Sequence, residues 1–132
     1  MAAHPRPLSP HLQVYRQPLT AGAMSILHRI TGGILAVASF ALVCWLLAVA
    51  GGSEAFARFA GFAGSWAGVV ALALGTAALV YHLLNGVRHL LWDIGWGFEL
   101  PRANATGLAV IVLTIVITAA LVFAGLRAGG LA

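Results

Sequence analysis

Charge is what this sequence has least of. It contains no lysine and only three acidic residues, so charged residues make up 8% of the chain. Soluble domains contain about 25% charged residues. Hydrophobic residues make up 61% of the 132 positions, and a chain this short cannot bury so much apolar surface in one soluble core. The composition therefore excludes an ordinary soluble domain and indicates a membrane protein.

Cysteine is almost absent as well. Cys44 is the only cysteine in the sequence, which excludes an intrachain disulfide and a cysteine metal site. The seven basic residues are all arginines, and they are scattered along the chain instead of being clustered. Nucleic acid is therefore not a predicted partner.

The sequence contains three long uncharged stretches. Each is longer than the roughly 20 apolar residues that cross the hydrocarbon core of a bilayer. We predict an all-α integral membrane protein, a single membrane-anchor domain over residues 1–132 with lipid around it. Its transmembrane helices are expected at about 23–50, 65–91 and 104–126. Residues 1–20 hold four of the five prolines, which predicts an extended cytoplasmic segment.

The arginines predict the orientation of the helices. Five of them lie before the first span, at its start or beside the loop after the second span, and two lie on the opposite side. Positive residues accumulate on the cytoplasmic side, so we expect a cytoplasmic N-terminus. The arginine-rich, lysine-free composition favours a bacterial inner membrane over the mitochondrial inner membrane.

Span two contains a seven-residue register: Gly68, Gly75, His82 and His89. Seven residues are nearly two helical turns, with a drift of about 20° per step, so these residues share one face. Gly86 lies on the same side. Small residues let a flat group or another backbone approach a membrane helix, and imidazole is a common haem ligand. His82 is therefore a candidate haem ligand, with an interhelical hydrogen bond, a proton relay and a quinone contact as alternatives.

Depth separates His82 from the other histidines. It lies about ten residues from the cytoplasmic end of its span, hence roughly 15 Å deep. Arg88 and His89 are expected at the cytoplasmic membrane interface. An ion pair, snorkelling or a haem-propionate contact would explain the histidine there. His28 is too shallow to be the opposite axial ligand. A six-coordinate haem would therefore need a partner chain for its second ligand.

A second group of polar residues lies in "SILHRITGG", residues 25–33. Ser25 and Arg29 are i,i+4 neighbours on one helix face, and His28 lies on the adjoining flank. The hydroxyl and the guanidinium suit a quinone carbonyl that gains negative charge on reduction. The alternatives are a helix cap for Ser25, a positive membrane anchor for Arg29 and a surface position for His28.

Three stretches together resemble the larger cytochrome b anchor subunit of succinate dehydrogenase (respiratory complex II). They are "RPLSPHLQVY", "SILHRITG" and "HLLNGVRHLLWD", at residues 6–15, 25–32 and 82–93. The resemblance implies that His82 is an axial ligand of haem b shared with a second three-span anchor subunit. It also implies that Ser25 and Arg29 help form the ubiquinone site and that His28 lies near the haem propionates.

The resemblance implies a function for the whole complex. A flavoprotein subunit would oxidise succinate, an iron–sulfur subunit would pass the electrons to ubiquinone, and this chain would anchor them and form half of a haem-binding helix bundle. Haem packing or propionate contacts are expected of His28, His89, Gly75 and Gly86. The alternatives are an anchor of a quinol:fumarate reductase, a haem-free structural anchor and a small channel or transporter component lined by His82 and Arg88.

Overall fold

The computed structural model describes residues 19–129, which form four helices and no strand. The helices are α1 (Leu19–Ala50), α2 (Ser53–Ala63), α3 (Trp66–Asp93) and α4 (Leu100–Ala128). The prediction of an all-α membrane protein with three long apolar helices is confirmed. The predicted extended segment lies almost wholly outside the described residues, and the single domain and the cytoplasmic N-terminus stay predictions.

Three of the helices are long and apolar enough to cross a membrane, at Gly22–Ala50, Trp66–Asp93 and Leu100–Ala128. Each has 28 or 29 residues, which at 1.5 Å per residue is about 42 Å. The hydrocarbon core is about 30 Å thick. The helices therefore tilt or continue into the headgroup region.

The short helix α2 joins the first two spans. It carries no buried residue, and an exposed ion pair between Arg58 and Glu54 (2.7 Å) lies on its surface. The turn that follows it is tight, because a Cβ at Gly68 would collide with the backbone of Phe62 and Ala63. Gly68 is therefore explained by the α2–α3 turn.

The α3–α4 loop depends on two glycines with positive φ angles, Gly95 (83°) and Gly97 (89°). Glycine adopts this left-handed conformation without a steric penalty. The Trp92 indole Nε1 donates a hydrogen bond to the Gly97 carbonyl across the loop, at 3.2 Å. The loop thereby brings the start of α4 back alongside the end of α3.

Packing is concentrated towards the end of the bundle where α1 begins. α3 packs against α1 and α4, which also contact each other. The core consists of Met24, Tyr81 and Val110 with Leu84 beside it. The Tyr81 hydroxyl donates to the Met24 carbonyl at 2.9 Å. Elsewhere large apolar side chains are exposed, such as Phe40 at 73%, so most of the surface is suited to lipid or to another membrane helix.

Candidate functional site

Three histidines from two helices form one cluster. The rings of His28 (α1) and His82 (α3) are stacked, with centroids 3.9 Å apart and an angle of 6° between the planes. His89 lies 5.2 Å from His28 and contacts Trp92 edge-on. The predicted face of α3 is thus turned towards α1, and His28 is part of the cluster and not an isolated surface residue.

The His82 ring is held by hydrogen bonds at one nitrogen. Its Nδ1 lies 3.2 Å from the His28 carbonyl oxygen and 3.2 Å from the Thr31 hydroxyl. The Thr31 hydroxyl is 2.8 Å from the Leu27 carbonyl and 3.0 Å from the His28 carbonyl. Because its single proton is directed at a backbone oxygen, the hydroxyl oxygen can accept a hydrogen bond from His82 Nδ1. Both partners of Nδ1 are therefore acceptors.

This arrangement favours one tautomer of the His82 ring. If Thr31 donated to Nδ1 instead, the lone pair of that nitrogen would face the His28 carbonyl. The hydrogen-bond partners thus assign the Nδ1–H tautomer to neutral His82. In this tautomer Nε2 has a lone pair, and it makes no hydrogen bond within residues 22–129. The His82 ring therefore combines an interhelical hydrogen bond at Nδ1 with a nitrogen, Nε2, that has no partner among these residues.

The glycines of the two helices contribute unequally to this cluster. A Cβ at Gly32 of α1 would lie 3.1 Å from Cε1 of His82, whereas one at Gly86 would lie 4.0 Å from Cε1 of His28. A Cβ at Gly75 would meet no atom within 4 Å. Gly32, which sequence reasoning did not select, is the glycine that admits the His82 ring. Gly75 and Gly86 stay predicted packing positions.

Ser25 and Arg29 lie on the flank of α1 beside this cluster. Ser25 is half-buried and Arg29 is exposed. Neither side chain makes a hydrogen bond or an ion pair within the described part of the chain. Among the described residues, nothing pairs with either polar group.

Arg88 differs from the sequence-based expectation, which placed it at the membrane interface. Its side chain is turned inward and only 4% exposed. Nε donates to the Thr106 hydroxyl (3.1 Å) and Nη2 to the Ala103 carbonyl (2.9 Å), and the guanidinium lies 4.0 Å from the Trp92 ring centre. Arg88 therefore connects α3 to α4. A channel lined jointly by His82 and Arg88 is disfavoured, because the two side chains contact different helices.

A second polar stripe on α3 accompanies Arg88. Tyr81, Asn85 and Arg88 are spaced i, i+4 and i+7, and all three are buried. Asn85 is fully buried, and its two amide atoms make no hydrogen bond to the residues that the structure describes. The spacing was readable in the sequence, but it does not tell which neighbouring helix each stripe contacts.

Thr31 is the other residue that sequence reasoning missed. Met24, His28 and Thr31 follow the i, i+4, i+7 pattern of a helix face that packs on a neighbour. Thr31 is 9% exposed and Met24 2%. The pattern was a usable signal for the packed face, but the hydrogen bond to His82 depends on the rotation of α3.

Comparison with known proteins identifies the family. The model of the family described as "Succinate dehydrogenase/Fumarate reductase transmembrane subunit" matches residues 2–121. The chain belongs to this family. It is 44% identical over 112 residues to the succinate dehydrogenase cytochrome b556 subunit of Paracoccus denitrificans, covering 85% of each chain.

Other members of the family are similar over comparable lengths. The cytochrome b556 subunit of Rickettsia felis is 40% identical over 113 residues, which are 86% of this chain and 87% of that one. The mitochondrial cytochrome b560 subunit of mouse is 38% identical over 123 residues, which are 83% and 66% of the two chains. The predicted family is confirmed, and this succinate dehydrogenase transmembrane subunit is a multi-pass membrane anchor of its complex.

Proposed function

We propose that this chain anchors a succinate:ubiquinone oxidoreductase in the bacterial inner membrane, holds haem b through His82 and forms part of the quinone site with Ser25 and Arg29. The observation that carries the proposal is the hydrogen bonding of the two nitrogens of the His82 ring. Nδ1 is occupied by two acceptors from α1 and Nε2 has no partner among the described residues. The cytochrome b names of the relatives support haem as the ligand.

The residues present fit a haem iron. Metal-bound histidine almost always donates its other ring N–H to a carbonyl or a similar acceptor, and His82 already has this arrangement. Residues 19–129 contain no group of three or more side chains suited to hold a metal ion. A haem iron needs only axial ligands from the protein. When bound, haem b supplies a one-electron redox centre within the membrane.

A six-coordinate haem would take its second axial ligand from another subunit. His28 stacks on the face of His82 with ring centres 3.9 Å apart, which is van der Waals contact, so no porphyrin fits between the two rings. His89 lies seven residues further towards the membrane surface. We therefore infer a second anchor subunit that provides the other ligand and covers part of the exposed apolar surface. His28 and His89 are left for contacts with the edge of the haem or its propionates.

We propose that the quinone site lies on the flank of α1 that carries Ser25 and Arg29. Reduction of a quinone adds two electrons and two protons, and negative charge develops on its carbonyl oxygens. The guanidinium of Arg29 would stabilise that charge, and the hydroxyl of Ser25 can donate a hydrogen bond to a carbonyl oxygen. Arg29 is available for this role because no acidic residue pairs with it in the described part of the chain. Flavoprotein and iron–sulfur subunits would deliver the electrons from succinate.

The haem assignment is tested on the intact complex in membranes. We expect His82→Ala to abolish the b-type band in the reduced-minus-oxidised absorption spectrum. Leu83→Ala, at the adjacent position with a 63% exposed side chain, is the matched control and should retain the band. A wild-type complex without a b-type band would contradict the proposal and leave the haem-free structural anchor.

The quinone assignment is tested separately. Ser25→Ala and Arg29→Leu should lower succinate:quinone reductase activity while the haem band stays intact. Ser39→Ala removes an exposed hydroxyl of α1 that donates only to the Ala36 carbonyl, and it should leave the activity unchanged. Unimpaired quinone reduction in both site variants would remove Ser25 and Arg29 from the quinone site. Comparing succinate oxidation with quinol-driven fumarate reduction distinguishes the fumarate reductase alternative.

A further inference from the structure

We propose that Thr31 is a positioning residue for the haem. Together with the His28 carbonyl, its hydroxyl holds the Nδ1–H of His82 and thereby fixes the tautomer, orientation and basicity of the proposed ligand nitrogen. This inference rests on the proposed function, because it requires His82 to be an axial ligand. It assigns α1 a role in setting the redox potential of a haem bound through α3.

The Thr31 hydroxyl has a fixed orientation towards the His82 ring. Thr31 is buried, and its hydroxyl lies within hydrogen-bond distance of two carbonyls of its own helix, those of Leu27 and His28. Since those bonds use its proton, the oxygen presents a lone pair to His82 Nδ1 at 3.2 Å. A threonine at this position is thus an acceptor of fixed direction.

The His82 ring is confined by residues of α1. The face of the His82 ring is stacked on His28. Its Cε1 edge faces Gly32, where even a Cβ would approach to 3.1 Å. With Nδ1 held by two acceptors, the ring is restrained on three sides by α1. Nε2 is the ring nitrogen that remains available, and α1 sets its direction.

The hydrogen bond at Nδ1 also affects the basicity of the proposed ligand nitrogen, Nε2. A second-shell acceptor on Nδ1–H raises the basicity of a ligating histidine, and a more basic ligand stabilises ferric over ferrous iron. Removing the Thr31 hydroxyl, one of the two acceptors on Nδ1, should therefore raise the midpoint potential of the haem. Loss of a second-shell partner typically changes metal affinity by about 10-fold or more. A 10-fold change in the preference for ferric iron is about 59 mV for one electron.

The test is a redox titration of the b-type absorption band in the intact complex. The hydroxyl is removed in Thr31→Val and Thr31→Ala and retained in Thr31→Ser. Thr114→Val is the matched control, because Thr114 of α4 donates to its own i−4 carbonyl at 2.7 Å and to no side chain. We expect a higher midpoint potential in the Val and Ala variants, by about 59 mV for a 10-fold effect. The Ser variant and Thr114→Val should titrate like the wild type.

Loss of haem from the Val and Ala variants with retention in Thr31→Ser would also support the inference, since only the hydroxyl separates the two groups. Val or Ala variants that keep haem at the wild-type potential would overturn it. Loss of haem from Thr31→Ser would overturn it too, because the methyl group and not the hydroxyl would then be required. The proposed function fails differently: a b-type band that survives His82→Ala contradicts the ligand itself.

Discussion

Replacement of Gly32 by alanine tests how closely α1 confines the His82 ring. The added Cβ would lie 3.1 Å from Cε1 of His82, whereas carbon atoms pack best at about 3.5–4.0 Å. The ring would have to move by roughly 0.4–0.9 Å. Functional constellations tolerate displacements of about 0.5 Å, and metal–ligand distances tolerate about 0.2 Å. We therefore expect Gly32→Ala to weaken haem binding by about 10–100-fold, as changes around a metal ligand typically do.

The ring cannot move away easily, because His28 lies against its face and two acceptors hold its Nδ1. Alanine in a helix interior is otherwise favourable over glycine by about 0.5–1 kcal/mol. The helix itself should therefore tolerate the change while the haem site does not. The measurement is the haem content per assembled complex, from the reduced-minus-oxidised band relative to the amount of flavoprotein.

Gly33→Ala is the matched control, since a Cβ at the next position meets no atom within 4 Å. It should bind haem like the wild type. Equal haem content and equal haem affinity in the two variants would refute the reasoning, because they would show that the 3.1 Å approach at Gly32 places no constraint on His82.

Two further predictions concern the polar stripe of Tyr81, Asn85 and Arg88. Arg88→Leu should destabilise the assembled complex by about 1.5–3 kcal/mol per charged hydrogen bond lost. The loss is measured as a lower temperature of the thermal unfolding transition. Arg102→Leu, which breaks an exposed ion pair with Glu99, should cost at most about 1 kcal/mol, and equal effects would contradict the packing role of Arg88. Asn85→Leu should be neutral or stabilising, because both amide atoms are buried without a hydrogen-bond partner in the described part of the chain, and an unpaired buried polar group lowers stability. A loss of stability would mean that the amide is paired in the assembled complex.

The spans were predictable because their physical requirement is simple. A helix in lipid has to satisfy its backbone internally and present apolar side chains over a known length, and hydropathy measures this directly. The common face of His82 and His89 was predictable for a similar reason. A seven-residue spacing fixes the angle between two side chains on a helix, whatever the helix packs against.

The neighbours of each face were not predictable from the sequence. His82 and Tyr81 are adjacent, hence about 100° apart around α3, so two polar stripes run side by side along the helix. One contacts the histidine of α1 and the other includes Arg88, which bonds to α4. This choice depends on the rotation of α3 in the bundle, which long-range packing determines. For that reason Arg88 was expected at the interface, and the contribution of Thr31 was missed.

Chemical rescue tests most directly whether His82 ligates the haem iron through Nε2. In the His82→Ala complex the b-type band should be absent, and free imidazole added with haem should restore a low-spin b-type spectrum by occupying the space of the missing side chain. Addition of imidazole and haem to the Leu83→Ala complex should change nothing. A His82→Ala complex that keeps its b-type band without imidazole would contradict the account.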